Sequence, residues 1–135
     1  MFAIFVFQDE TCRQVGERAE ACGLAWLRTS STVKCGHQLD TKWVSRYHPA
    51  AGYDAEVDGG VFSPEWMGRR CFVEIKGSSS SEMKLFTMSS NEYNVMMGKD
   101  DGEYIVLIVT GVNLHESDAG AVTGSSLRRV ICKTM

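Results

Sequence analysis

The chain has 135 residues, 44% hydrophobic and 23% charged, which is enough for one buried core and too little for two domains. Lys and Arg number 14 against 17 Asp and Glu, and the net charge of −3 has the wrong sign for a protein whose whole surface grips nucleic acid. That total leaves room for local basic patches, for which Arg69-Arg70 and Arg128-Arg129 with Lys133 are the two places.

Met1 to Phe7 is apolar, but it lacks a basic leading region and a small-residue cleavage site and runs into Gln8, Asp9 and Glu10. It reads as neither a signal peptide nor a membrane span. No apolar run approaches the ~20 residues that cross a bilayer, so no membrane partner is expected. Five cysteines, Cys12, Cys22, Cys35, Cys71 and Cys132, include no C-x-x-C pair and are odd in number. They read as reduced thiols of an intracellular protein, nuclear or cytoplasmic.

The first element is a helix over about Thr11 to Arg28, because Val15, Ala19, Cys22 and Trp26 share one stripe at helical spacing. Thr29 to Asp40 is polar, without a period, and reads as a loop. Trp43 to Tyr47 and Tyr53 to Val57 alternate as two short strands about a turn at Pro49 to Gly52. After a turn at Asp58-Gly59-Gly60, a third strand runs from Cys71 to Lys76 and stops at Gly77 and four serines.

Ser89 with Glu92 three residues later is a capping-box pattern, which starts a second helix that ends near Gly98. Tyr104 to Thr110 is continuously apolar and β-branched, as a strand covered on both faces must be. A last strand spans Leu127 to Lys133. The class is α/β, with a mixed central sheet flanked by helices in one domain spanning 1–135, the second helix allowing a parallel crossover.

The segment Phe72-Val73-Glu74-Ile75-Lys76 carries the chemistry. Alternation sends Val73 and Ile75 to one face and Phe72, Glu74 and Lys76 to the other, so an apolar face backs a charged pair. A hairpin-length separation lets Asp54 meet Glu74 at adjacent strand ends. Two hard carboxylates there can hold Mg2+, with Mn2+ as a substitute, and Lys76 can stabilise the charge that develops during phosphodiester hydrolysis. A bare E-x-K is far more often an ordinary cross-strand ion pair or a solvated strand face, and what sets this one apart is the Gly-Tyr-Asp upstream, the hairpin-length gap and the fully apolar opposite face.

Gly16-x-x-Ala19-Glu20, Trp43-Val44-Ser45, Gly52-Tyr53-Asp54, Val73-Glu74-Ile75-Lys76-Gly77, Phe86 through Glu92-Tyr93 and Tyr104 through Leu107 occur in that order. In this succession, from about residue 16 to 112, the chain resembles the C-terminal domain of the NO VEIN protein, a domain similar to the PD-(D/E)xK, restriction-endonuclease-like superfamily. The resemblance implies a restriction-endonuclease-like αβββαβ core and makes Asp54, Glu74 and Lys76 the signature residues, with Asp54 and Glu74 as metal ligands. Carried over in the same way, Glu20 is the helix carboxylate that supports the metal site. Tyr53 stands where the family has its usual proline.

Glu20 also lies beside Gly16, Gly23, Leu24 and Leu27 and off the Val15/Trp26 stripe, so a boundary charge is its alternative role. Glu92 reads as a capping residue. His37, His48 and His115 read as solvent-exposed loop residues, Cys35-x-His37 is too short for a zinc site, and Met96-Met97 reads as core filler. The expected function is a metal-dependent nuclease or docking domain on DNA or RNA, for which a dimer is one way to cut both strands. The alternative is a catalytically inactive interaction module with a larger protein partner.

Overall fold

The apolar stripe produces helix α1 (Glu10–Cys35), and the structure, a computed structural model, describes residues 10–35, 41–82, 85–100, 103–112 and 126–132. Val15, Ala19 and Cys22 are buried as the stripe requires, and Trp26 packs against them. Leu24 and Leu27 are equally buried, so the apolar face is wider than that stripe. Each of these two leucines contributes about 1.5–3 kcal/mol by leaving water. The helix outruns its expected end because the Ser/Thr run does not break it. Thr29 donates its hydroxyl back to the Ala25 carbonyl at 2.9 Å and stays within the helix.

Five strands form one sheet in the order β1 (Lys42–Trp43), β2 (Ala55–Asp58), β3 (Arg70–Gly77), β4 (Tyr104–Thr110) and β5 (Ser126–Cys132). β3 and β4 are parallel, in the register Glu74 to Val106, and the other neighbours are antiparallel. Helix α2 (Ser90–Met97) lies in the crossover between the parallel pair. The mixed α/β architecture expected from the sequence is therefore present.

β1 is shorter than the expected Trp43 to Tyr47 because the chain turns at once. The amides of Tyr47 and His48 both donate to the Val44 carbonyl, at 3.0 and 2.8 Å. β2 likewise begins only at Ala55, since Gly52 adopts φ 84° and the chain bends through 51–54. The turn after Asp58 is a 3-10 helix, Gly59–Val61, which Asp58 caps by accepting from Gly60 N at 2.8 Å. A second one, Pro64–Trp66, was not expected.

The sheet has two cores. On the α1 side Val57, Val73, Ile75, Ile105 and Leu107 pack together. On the other side Tyr104, Val106 and Ile108 are covered by Phe72, Phe86, Val95 and Met96. β4 is buried along all seven residues, as its unbroken apolar run demands. Met96 fills this second core, but Met97 at the end of α2 is 38% exposed and does not. Among the described residues Cys12, Cys22 and Cys71 are in no disulfide, and burial pushes the Cys71 thiol up to about 11. No helix among the described residues is long and apolar enough to cross a membrane. Met1 to Phe7, His37, His115 and Lys133 lie outside the described residues.

α1 sits close on the end of β3. A Cβ on Gly77 would lie 2.2 Å from the Ala19 Cβ, and one on Gly23 would lie 2.8 Å from Ile75 Cδ1. Gly77→Ala is therefore predicted to cost about 1–3 kcal/mol, read as a lower urea midpoint at unchanged slope. A midpoint equal to that of the parent chain contradicts this close approach.

Candidate functional site

Alternation along β3 buries Val73 and Ile75 under α1 and leaves Glu74 and Lys76 on the face with Phe72. Asp54 immediately precedes β2. Its amide donates to the Val73 carbonyl at 2.8 Å, and its Oδ2 accepts from Ile75 N at 2.7 Å. The carboxylate thus takes an amide of β3 at the point where β2 leaves the ladder. The Asp54 carbonyl accepts from Val44 N at 2.8 Å and Ser45 N at 3.1 Å, which ties the end of β1 to the same place.

Glu20 arrives from α1. Its Oε1 accepts from the Trp43 indole N–H at 2.6 Å and from the Ser45 hydroxyl. The side of α1 that carries Glu20 is core, because Gly23, Leu24 and Leu27 are all buried. Glu20 is accordingly a partly buried, hydrogen-bonded group at the sheet edge and not a solvated boundary charge.

Lys76 Nζ lies 3.5 Å from Glu74 Oε1 and 2.7 Å from Glu92 Oε1. Glu92 is also the N3 residue of a complete capping box, accepting from Ser89 N at 3.3 Å while its own amide donates to Ser89 Oγ at 3.1 Å. One carboxylate oxygen therefore both starts α2 and holds the lysine. The spacing Ser89-x-x-Glu92 signals the cap, but nothing in the sequence signals the contact with Lys76, which is made between distant elements. Trp43 and Ser45 were likewise legible only as parts of a family pattern.

Burial raises two of these carboxylates. Burial pushes Glu74 up to about 9, with the charges of Asp54 and Glu92 adding to the rise and Lys76 opposing it. Burial pushes Asp54 up to about 6, opposed by the Ile75 amide and increased by the charge of Glu20. The Lys76 ammonium only partly offsets this concentration of negative charge. Among the described residues no set of three or more His, Cys, Asp or Glu side chains is disposed to cage a metal. By donor type alone, Asp54 and Glu74 are the hard carboxylates of which a hydrated Mg2+ takes one or two while keeping several waters.

His48 is exposed, as expected, and lines a separate cleft at the β1 edge of the sheet. Of the expected basic patches, Arg69 and Arg70 are exposed, with Arg70 Nη1 3.4 Å from Glu56 Oε1. Arg128 and Arg129 lie on β5, the opposite edge strand from β1.

Two outcomes check this geometry. Glu74 holds its proton more tightly folded than unfolded, so its contribution favours the fold at low pH and is lost as pH rises from the ordinary 4.5 through about 9. Glu74→Gln is therefore expected to gain stability relative to the parent chain progressively across that window in pH-dependent urea melts, and parallel pH profiles contradict the assignment. Glu92→Gln retains an acceptor at N3 and is expected to stay within about 0.5 kcal/mol of the parent chain. Ser89→Ala is expected to cost about 1 kcal/mol, and the reverse order in thermal melts contradicts the division of roles at Glu92.

No curated protein and no solved structure matches the chain. A family model described as "Protein NO VEIN, C-terminal" matches residues 19–122. That match takes in most of the chain, from the helix that carries Glu20 past the end of β4, and the chain belongs to the NO VEIN C-terminal family.

Proposed function

We propose that this domain is a metal-dependent nuclease-like module acting on DNA or RNA, related to the PD-(D/E)xK superfamily. The observation that carries the reading is the pair of buried carboxylates Asp54 and Glu74, one oriented by the Ile75 amide and the other with Lys76 at 3.5 Å, both raised by burial. Perturbed carboxylates with a specific cationic neighbour are characteristic of sites that do chemistry. The element order supports it too, since a helix, three antiparallel-paired strands, a helix and a parallel strand place the acidic pair on the hairpin of β2 and β3.

Asp54 and Glu74 would hold Mg2+ or Mn2+, which when bound polarises a phosphoryl oxygen and lowers the pKa of a coordinated water. The chain's own groups do the remainder. Ile75 N fixes one oxygen of Asp54, so its carboxylate is oriented before any ligand arrives. Lys76, steadied by Glu92, presents an ammonium to the negative charge that grows on the phosphate. Glu20, held by Trp43 and Ser45, keeps a further carboxylate beside Asp54. Cys12, Cys22 and Cys71, which are in no disulfide, suit an intracellular setting, nuclear or cytoplasmic.

A second reading, a catalytically inactive interaction module within a larger protein or complex, is favoured by the net charge of −3 and by the pairing of Arg70 with Glu56. Incubation with single- and double-stranded DNA and RNA separates the two. Cleavage that requires Mg2+ or Mn2+ is expected to fall about a hundredfold or more in Asp54→Ala and in Lys76→Ala. Unchanged cleavage in both variants contradicts the nuclease reading, and stoichiometric capture of a protein partner in EDTA without cleavage favours the module.

A further inference from the structure

We propose that the cleft at the β1 edge is a nucleobase-binding subsite, and that it makes single-stranded nucleic acid the ligand class of this domain. The proposal rests on the nucleic-acid part of the reading above and deepens it. The cleft has a volume of about 530 Å³, and its walls include Lys42, Trp43, Tyr47, His48, Tyr53 and Glu56. Of its rings, Trp43 lies under the Arg46 guanidinium and Tyr53 packs edge-on against Phe72, which leaves Tyr47 as the ring on which a base would stack, since every base has a π-face that an aromatic side chain holds without regard to sequence.

The most telling member is Tyr47, a large aromatic left 73% exposed at the tip of the turn after β1. Its backbone is fixed, since Tyr47 N and the neighbouring His48 N both donate to the Val44 carbonyl. An exposed ring carried on a hydrogen-bonded turn is poorly explained by packing, and it offers a base a face for stacking. The charge around the opening has the sign a phosphate strand requires. Lys42 lines the cleft and the Arg46 guanidinium lies 5.3 Å from the centre of the Trp43 ring. Glu56 is the one acid in the lining, and Arg70 approaches it at 3.4 Å.

Position joins the cleft to the carboxylates. Tyr53 precedes Asp54 directly, Val44 of the cleft wall donates its amide to the Asp54 carbonyl, and Trp43 donates its indole N–H to Glu20. The cleft wall and the carboxylates thus share neighbouring residues of one segment, Tyr53 beside Asp54 and Trp43 bonded to Glu20. A base inside a duplex has both faces covered by its neighbours, so only an unpaired one can enter.

The test is fluorescence anisotropy of the full chain with end-labelled oligo-dT and oligo-rU and with a duplex of equal length, all in EDTA so that no metal and no cleavage are needed. The single strands are expected to bind more tightly than the duplex, and to weaken with salt. Tyr47→Ala is expected to weaken them about tenfold, with Tyr47→Phe close to the parent chain. Equal affinity of parent and Tyr47→Ala, preference for the duplex, or binding to neither overturns the subsite. A parallel titration with Mn2+ alone keeps the two readings apart. If Mn2+ binds but the oligonucleotides ignore Tyr47, the subsite falls and the metal site stands; Tyr47-dependent binding with no Mn2+ site upholds the subsite and removes the nuclease reading.

Discussion

The arrangement turns on negative charge held out of water at one end of the sheet. Glu20, Asp54, Glu74 and Glu92 converge there with Lys76, and both Asp54 and Glu74 are pushed toward their protonated forms by burial and by their neighbours. Concentrating carboxylates in this way opposes folding, since taking an ion from water costs several kcal/mol unless partners compensate. The compensation here is partial and built from the backbone and from neighbouring elements. Ile75 N serves Asp54, Trp43 and Ser45 serve Glu20, and Lys76 and the Ser89 amide serve Glu92.

Each of those partners depends on a packing decision made elsewhere. Glu20 reaches the site only because α1 lies close on β3, an approach that the absence of side chains at Gly23 and Gly77 permits. Asp54 points at β3 only because the chain bends at Gly52 and β2 leaves the ladder. Lys76 is held because α2 is docked with its N-terminus toward β3, where Asn91 Nδ2 donates to the Ala50 carbonyl at 2.6 Å; the Tyr104 hydroxyl in turn ties that loop to β4 by donating to Gly52 O at 2.8 Å. The two apolar cores supply the stability against which the charged end is maintained.

Much of this was legible in the sequence where one residue type has one reason to be present. The capping box at Ser89 and Glu92, the doubly covered β4 and the alternation of β3 are each dictated locally, and the structure has all three. The E-x-K pair was legible as two charges on one face of β3, but its second partner was not, because Glu92 had a sufficient local role as a cap. Glu20 was harder. A helical wheel divides the helix by the sharpest stripe, and burial of Leu24 and Leu27 beside that stripe depends on how broad a sheet the helix covers. The length of β1 was misjudged because propensity favours strand through Tyr47, whereas the hydrogen bonds of Tyr47 and His48 to Val44 close a turn. The cleft had no linear signature, since it draws lining from segments around Lys42, Tyr47 and Tyr53.

The most direct measurement of the central claim, that the carboxylate cluster is completed by a divalent cation, is unfolding of the full chain by urea in Mn2+ and in EDTA. A ligand that binds only the folded chain stabilises it in proportion to the logarithm of its concentration once saturating. The account predicts a midpoint that rises steadily with Mn2+ in the parent chain and does not move in Asp54→Asn or Glu74→Gln. A midpoint indifferent to Mn2+ in the parent chain, or one that rises equally in both variants, would contradict it.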